Sequence, residues 1–339
     1  IDQGEAIQSR AFEVDRAYRF KKGSGLPLRI PVIEMVEIGA GGGSISRVDS
    51  LKRIQVGPDS AGSDPGPVCY GLGGMSATIS DADAITGKIY PKFFAGGSLD
   101  LDLDSARRVI EEQIGLPLLM DFQEAADAIL EVVDENMTAA AKAHCSEWGK
   151  TMDGRVMIAF GGAAPLHAIN LARKLNISKV LIPQGAGVGS ALGFLMAPAR
   201  FEVVRSFFGT ISSFDVKTIS NLLAQMREEA TQVVRQITSK QLIEKVRAYM
   251  RYQGQGYEVS VEVKEAGSID SNMLSLQFEE AYLASYGRTL PDVDVEILSW
   301  TLSMEEESAN DKPMIFDLPQ SEDYFDFDES VLVSGGSSL

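Results

Sequence analysis

Two carboxylates separated by one residue, Asp81 and Asp83, stand in the run TISDADAITG beside a long Gly-, Pro-, Ser- and Asp-rich stretch from 56 to 74. Such a pair has two chemical uses. It can hold Mg²⁺ through water, with Asp81 also a candidate catalytic carboxylate, or it can cap the start of a helix beginning near Ala82. Residue types and spacing favour the cap. A second group of residues is glycine. IGAGGGSISRVD places Gly41, Gly42 and Gly43 before Ser44, and RVMIAFGGAAPLHA places Gly161, Gly162 and Ala163 before Pro165 and His167. Consecutive amides without Cβ atoms can form an anion-binding nest, with the Ser44 hydroxyl as a further donor. A flat ligand can lie against Gly161 and Gly162, next to the amides of a helix N-terminus. The plain alternatives are a wide β-turn at the first site and a tight strand-to-helix turn at the second.

Little else in the chain is poised for chemistry. His144 and His167 are the only histidines and Cys69 and Cys145 the only cysteines, so a zinc or di-iron centre built from these types is not expected. His144 and Cys145 close a long helical pattern and read as structural. There is no Walker loop, no nucleophile elbow and no recognisable Ser-His-Asp set.

The elements that must position these groups follow from periodicity. Val156–Phe160 is a short apolar run between glycines, predicted as a buried strand, and Pro165–Leu175 has helical spacing, with His167 in its first turn. Lys179–Pro183 and the glycine turn of QGAGVGSALGFL repeat the pattern. Strand, glycine turn and helix in succession predict α/β architecture with its turns on one sheet edge, so the Gly41–Ser44 and Gly161–His167 loops should face one cleft. Leu101–Leu116 and Asp121–Trp148 are predicted helices. After Arg205 the pattern changes to helix 214–237, strands 245–252 and 257–264, helix 271–286 and strand 293–304, an α+β unit. The expected organisation is therefore domain 1–205, domain 206–304 and an acidic tail 305–339. The segment 1–14 reads as strand, turn at Gln3-Gly4 and strand, so the sequence is expected to be the later part of a longer polypeptide.

Composition narrows the function classes. With 339 residues, 45% of them apolar and 23% charged, the chain is long enough for two domains. A net charge of −17 without a basic run argues against nucleic acid. No secretory signal and no apolar run of membrane-spanning length is evident, which together with two cysteines predicts a cytoplasmic, reducing setting.

Six blocks in order, IGAGGGSISRVD, VGPDSAGSDPGPVCYGLGG, TISDADAITGKIYPKFFAGG, FGGAAPLHA, IPQGAGVGSALGF and RYQGQGYEVSV, resemble the hydantoinase/5-oxoprolinase A family. The resemblance spans residues 32 to about 304. It implies an actin-like ATPase lobe, of the kind shared by acetate and sugar kinases and Hsp70, followed by a smaller α+β domain. It also implies ATP and Mg²⁺ as cofactors, with FGGAAPLHA as the adenosine loop and IGAGGGS reaching the nucleotide from the other side. The implied nucleotide-binding residues are Gly41, Gly42, Gly43, Ser44, Gly161, Gly162, Ala163, Pro165 and His167. The implied activity is an ATP-dependent hydrolase subunit that phosphorylates the carbonyl of a lactam or imide, working with a hydantoinase B-type partner. A ketone carboxylase subunit and a non-catalytic nucleotide-binding assembly module are the alternatives. Two positions depart from the family pattern: Ala164 stands where Gly is common, and Tyr282 where many members have His. Neither DxGGT phosphate hairpin of the actin-like fold is in the chain.

Overall fold

A computed structural model of the chain describes residues 8–9, 12–15, 17, 23–28, 32–264 and 269–307. The strand-turn-strand reading of residues 1–14 and the acidic-tail reading beyond 307 fall largely outside them. Two compact units are resolved, divided between residues 192 and 193. The boundary expected at 205 would cut a continuous strand, Arg200–Thr210, which the sequence reading did not foresee.

In the first unit, β1 (Ser44–Val48) and β2 (Ile54–Ser60) pair antiparallel, and Ile45 bridges Thr78 at the start of helix α1 (Ile79–Ile85). Helices α2 (Leu103–Ile110) and α3 (Phe122–Glu147) pack with α1. Apolar side chains at helical spacing build the core: Ile79 and Ala82 of α1, Ile110 of α2, and Ala125, Ile129 and Val133 of α3 are buried together, with Val48, Ile54 and Val56 against them. Asp121 and Glu124 form a capping box that starts α3 one residue after the predicted onset, and satisfy otherwise orphaned amides.

The opening glycine motif folds as its pattern predicts. β3 (Val156–Ile158) runs parallel to β4 (Lys179–Leu181), α4 (Ala164–Lys174) follows the first and α5 (Gly189–Met196) the second, each after a glycine at positive φ, Gly161 or Gly185. The pair differs from expectation in burial. Val156, Ile158 and Phe160 are about half exposed, so β3 shows one apolar face rather than being buried on both. Among the described residues β1/β2 and β3/β4 are also separate two-stranded sheets, not parts of one.

In the second unit, β5 (Arg200–Thr210), β6 (Leu242–Tyr252), β7 (Val259–Glu262) and β8 (Val295–Glu306) form an antiparallel sheet in the order β7-β6-β8-β5. Helices α6 (Val216–Val234) and α7 (Ser271–Tyr286) cover it, each capped by an aspartate, Asp215 and Asp270. Alternate residues of β6, Val246, Ala248, Met250 and Tyr252, enter one core with Ile297, Trp300 and Leu302 of β8 and Phe278 of α7. Tyr282, the departure noted above, is buried in this core. Its hydroxyl accepts from Gln255 Nε2 at 2.8 Å and its ring packs edge-on to Tyr252, a structural use.

Candidate functional site

The first glycine turn is built by its own hydrogen bonds. Ser44 N donates to Gly41 O at 2.9 Å, and Gly41 N donates to the Ser44 hydroxyl at 3.0 Å. The Ser44 hydroxyl thus accepts within the turn, and the residue is buried at 4% exposure. Two further bonds staple the turn in place: Ser80 N donates to Gly42 O and Ala61 N to Gly43 O, both at 2.8 Å. A Cβ at 42 would lie 2.5 Å from Ser80 Oγ, so a larger residue there would force the Ser80 hydroxyl to turn away.

The second turn is held by Gly161 N, which donates to Ala186 O at 2.7 Å. Gly161 has φ +102°, a conformation few other residues adopt. Gly162 is different: its φ is not in the left-handed region and a Cβ on it would meet nothing within 4 Å.

The two turns, more than a hundred residues apart in sequence, line one cavity of about 600 Å³. Gly42 and Gly43 contribute from the first and Gly162, Ala163 and Leu166 from the second. Between them stand groups that sequence reasoning did not single out for this role: Gly62, Pro67 and Tyr70 of the long loop, Ser80 on α1, and Lys88, Tyr90, Phe93 and Phe94 just after it. Tyr90 and Phe93 stack at 5.4 Å between centroids, and Tyr70 and Phe94 lie 5.4 Å apart, so much of the wall is aromatic. The signal was the aromatic run KIYPKFF directly after a helix with buried acids. Gly41, Ser44, Gly161, Pro165 and His167 are not among the residues that line the cavity.

The acidic pair is split between two tasks. Asp81 Oδ1 accepts from Cys69 N at 2.6 Å, and Asp81 Oδ2 from Thr78 N at 2.9 Å, Thr78 Oγ1 at 2.7 Å and Val68 N at 3.3 Å. Thr78 in turn caps the helix, which starts at Ile79 and not near Ala82. With both oxygens engaged and no solvent exposure, Asp81 is a clamp for the loop, which corrects its candidacy as catalytic residue and as metal ligand. Its neighbour Cys69 is equally inert: burial, then the Asp81 charge, push the thiol pKa far up.

Asp83 lines the cavity and belongs to a buried charge cluster. His167 Nδ1 lies 3.0 Å from Asp134 Oδ1 and its Nε2 3.4 Å from Asp83 Oδ2; Lys88 Nζ lies 3.7 Å from Asp83 Oδ1. Asn170 Nδ2 donates to the other Asp134 oxygen at 3.2 Å. Burial alone would lower the His167 pKa, but the Asp134 hydrogen bond and the Asp83 carboxylate outweigh it, with Lys88 opposing, and the pKa rises to about 9. The imidazole is thus a cation at neutral pH, its Nδ1 hydrogen-bonded to Asp134 and its Nε2 facing the Asp83 carboxylate as an ion pair. His167 holds the site's acid and does not itself meet the cavity.

The residues present suit a flat ligand better than a cation. One carboxylate faces the cavity, with a lysine and an imidazolium beside it, and no group of three His, Cys, Asp or Glu able to hold a metal occurs among the described residues. A Mg²⁺ held by Asp81 and Asp83 does not fit this arrangement. The cavity's glycine backbone, aromatic wall and volume fit a nucleoside-sized group.

Comparison with known proteins agrees with this architecture. Residues 1–203 match the hydantoinase/oxoprolinase family model, and the chain belongs to that family. It is 36% identical over 286 residues to an uncharacterised protein of Methanocaldococcus jannaschii, covering 84% of this chain and 40% of the relative. It is 30% identical over 287 residues to the caprolactamase subunit alpha of Pseudomonas jessenii, covering 81% and 40%, respectively. With the acetophenone carboxylase gamma subunit of Aromatoleum aromaticum it shares 42% identity over 167 residues, 49% of this chain and 22% of the relative. Two solved structures share its mixed α/β fold. Nucleotide-free acetone carboxylase superposes with a TM-score of 0.70 at 23% identity, over 90% of this chain and 44% of that one. The ATP-dependent caprolactamase of P. jessenii superposes with a TM-score of 0.65 at 28% identity, over 85% and 43%. The chain thus spans about 40% of the length of the first two relatives. Among the described residues no helix is long and apolar enough to cross a membrane.

Proposed function

We propose that this chain is part of an ATP-dependent hydrolase subunit that opens a cyclic amide or imide, such as hydantoin, 5-oxoproline or another lactam, together with a hydantoinase B-type partner. One observation carries the reading: two distant glycine turns meet on a single aromatic-walled cavity in a member of this family. ATP, when bound, supplies a phosphoryl group to the amide carbonyl oxygen and so makes the carbonyl carbon a better electrophile. The chain's own contribution is to hold and orient. Gly162 leaves bare backbone on which a planar base can lie, the stacked Tyr90 and Phe93 offer an aromatic surface beside it, and the amides of Gly42 and Gly43 are the donors of the first turn not used within it. The actin-like description of the lobe belongs to the same proposal.

A ketone carboxylase subunit is the second reading, favoured by the 42% identity to the acetophenone carboxylase subunit. The test uses the full-length natural protein with and without its partner, incubated with Mg·ATP and a panel of lactams, hydantoins and 5-oxoproline, or with ketones plus bicarbonate. ADP release coupled to a ring-opened acid is the expected outcome. ADP release that needs ketone and bicarbonate selects the carboxylase, and nucleotide binding without turnover on any substrate selects a non-catalytic assembly module.

A further inference from the structure

The cavity wall holds three charged atoms whose hydrogen-bonding capacity the protein leaves unused. Asp83 Oδ1, Asp83 Oδ2 and Lys88 Nζ are buried with no protein hydrogen bond, although Asp83 is 1% exposed and both residues line the cavity. Their ion-pair separations, 3.4 Å from Asp83 to His167 and 3.7 Å to Lys88, are too long for hydrogen bonds and do not remove the deficit. A buried carboxylate left in this state is costly. The His167 ring faces it at 3.4 Å, and Asp134 with Asn170 keeps His167 in place.

From this geometry we infer that Asp83 and Lys88 form the specificity-determining pair of the cavity, and that the group they recognise is the cis-diol of a ribose. The inference rests on the nucleotide reading above. A cation is disfavoured at Asp83, since Lys88 and the protonated His167 already flank it. A bare phosphate is disfavoured by the carboxylate itself. What the pair lacks is a partner that both donates and accepts. A hydroxyl does both: it donates to Asp83 while accepting from Lys88, and two adjacent hydroxyls satisfy both carboxylate oxygens. Recognition of ribose hydroxyls by a carboxylate is established chemistry in dinucleotide-binding folds. The flanking Tyr90, Phe93 and Gly162 offer the flat surfaces a base on that ribose would need.

The experiment is titration calorimetry of the full-length natural protein with ATP, 2′-deoxy-ATP and 3′-deoxy-ATP, repeated on Asp83→Asn and Lys88→Met. Melting temperatures monitor folding of each variant. Wild type should bind each deoxynucleotide at least about tenfold more weakly than ATP, a difference of about 1.4 kcal/mol. Both variants should retain cooperative melting and bind ATP and the deoxynucleotides alike. Equal wild-type affinity for all three nucleotides overturns the inference and leaves the nucleotide reading standing. Discrimination that survives in both variants places the diol elsewhere and also overturns it. Failure of all three nucleotides to bind removes both readings together. Should Asp83→Asn fail to fold, Lys88→Met decides alone, because the Lys88 ammonium makes no protein hydrogen bond that its loss would break.

Discussion

Gly161 and Gly162 are neighbours with opposite requirements. At φ +102° Gly161 is needed for the backbone, and any replacement is strained; Gly162 has ordinary φ and open space where a side chain would go, on the cavity side. Gly161→Val should therefore destabilise the chain by more than ~1 kcal/mol, while Gly162→Val should shift the melting temperature by no more than about 2 °C and still weaken ATP binding about tenfold or more. Melting and calorimetry on the two variants check this; equal losses of stability and binding at Gly162 would favour a plain turn. His167 makes a second residue-scale prediction. Its folded pKa of about 9 lies above the ordinary 6.5, so the stability it contributes is fully present below about 6.5 and is lost as pH rises through about 9. Denaturant midpoints measured from pH 6 to pH 10 should fall across that window in the wild type. In His167→Gln the fall should be much smaller and the stability at pH 6 lower.

At the scale of elements, the loop 56–74 becomes part of the cavity because α1 holds it. Asp81 accepts from two amides of the loop end, Val68 and Cys69, and from the amide and hydroxyl of Thr78 that begin the helix. Removing this carboxylate orphans several buried donors at once. Asp81→Ala should cost about 3 kcal/mol or more and lower nucleotide affinity indirectly, since Pro67 and Tyr70 of the same loop line the cavity. Urea unfolding gives the first value. Hydrogen exchange at the amides of residues 68, 69 and 78 should rise in the variant, and unchanged exchange there would refute the clamp.

The second unit, from residue 193 onward among the described residues, has a core of its own in which Trp300 and Phe278 are fully buried. A fragment of residues 193–307 should consequently fold alone and unfold cooperatively. Trp300 is its single tryptophan, so emission should shift to the red in one sigmoidal transition; a non-cooperative drift would contradict independent folding. The 339-residue chain as a whole should bind Mg·ATP weakly, because neither DxGGT hairpin is present and the one ammonium on the described cavity, Lys88, is already ion-paired with Asp83. Tight binding of ATP to this chain by calorimetry would contradict that expectation.

Much of this was legible because it is local. Periodicity determined helices 164–174 and 271–286 within a residue of expectation, and Gly161 and Gly185 marked the turns before α4 and α5 through φ alone. Motif order sufficed for the family. Burial was not legible in the same way: VMIAF reads as a buried strand, yet exposure depends on which strands neighbour it, and Val156 and Ile158 have an open face. Nor was the division of labour between Asp81 and Asp83. Two residues apart on one helix, they point along different directions, one into a cluster of loop amides 12 and 13 residues away and the other toward an imidazole from α4. Which donors surround a carboxylate is decided by segments distant in sequence, and only the tertiary structure brings Lys88, His167 and Asp134 around Asp83.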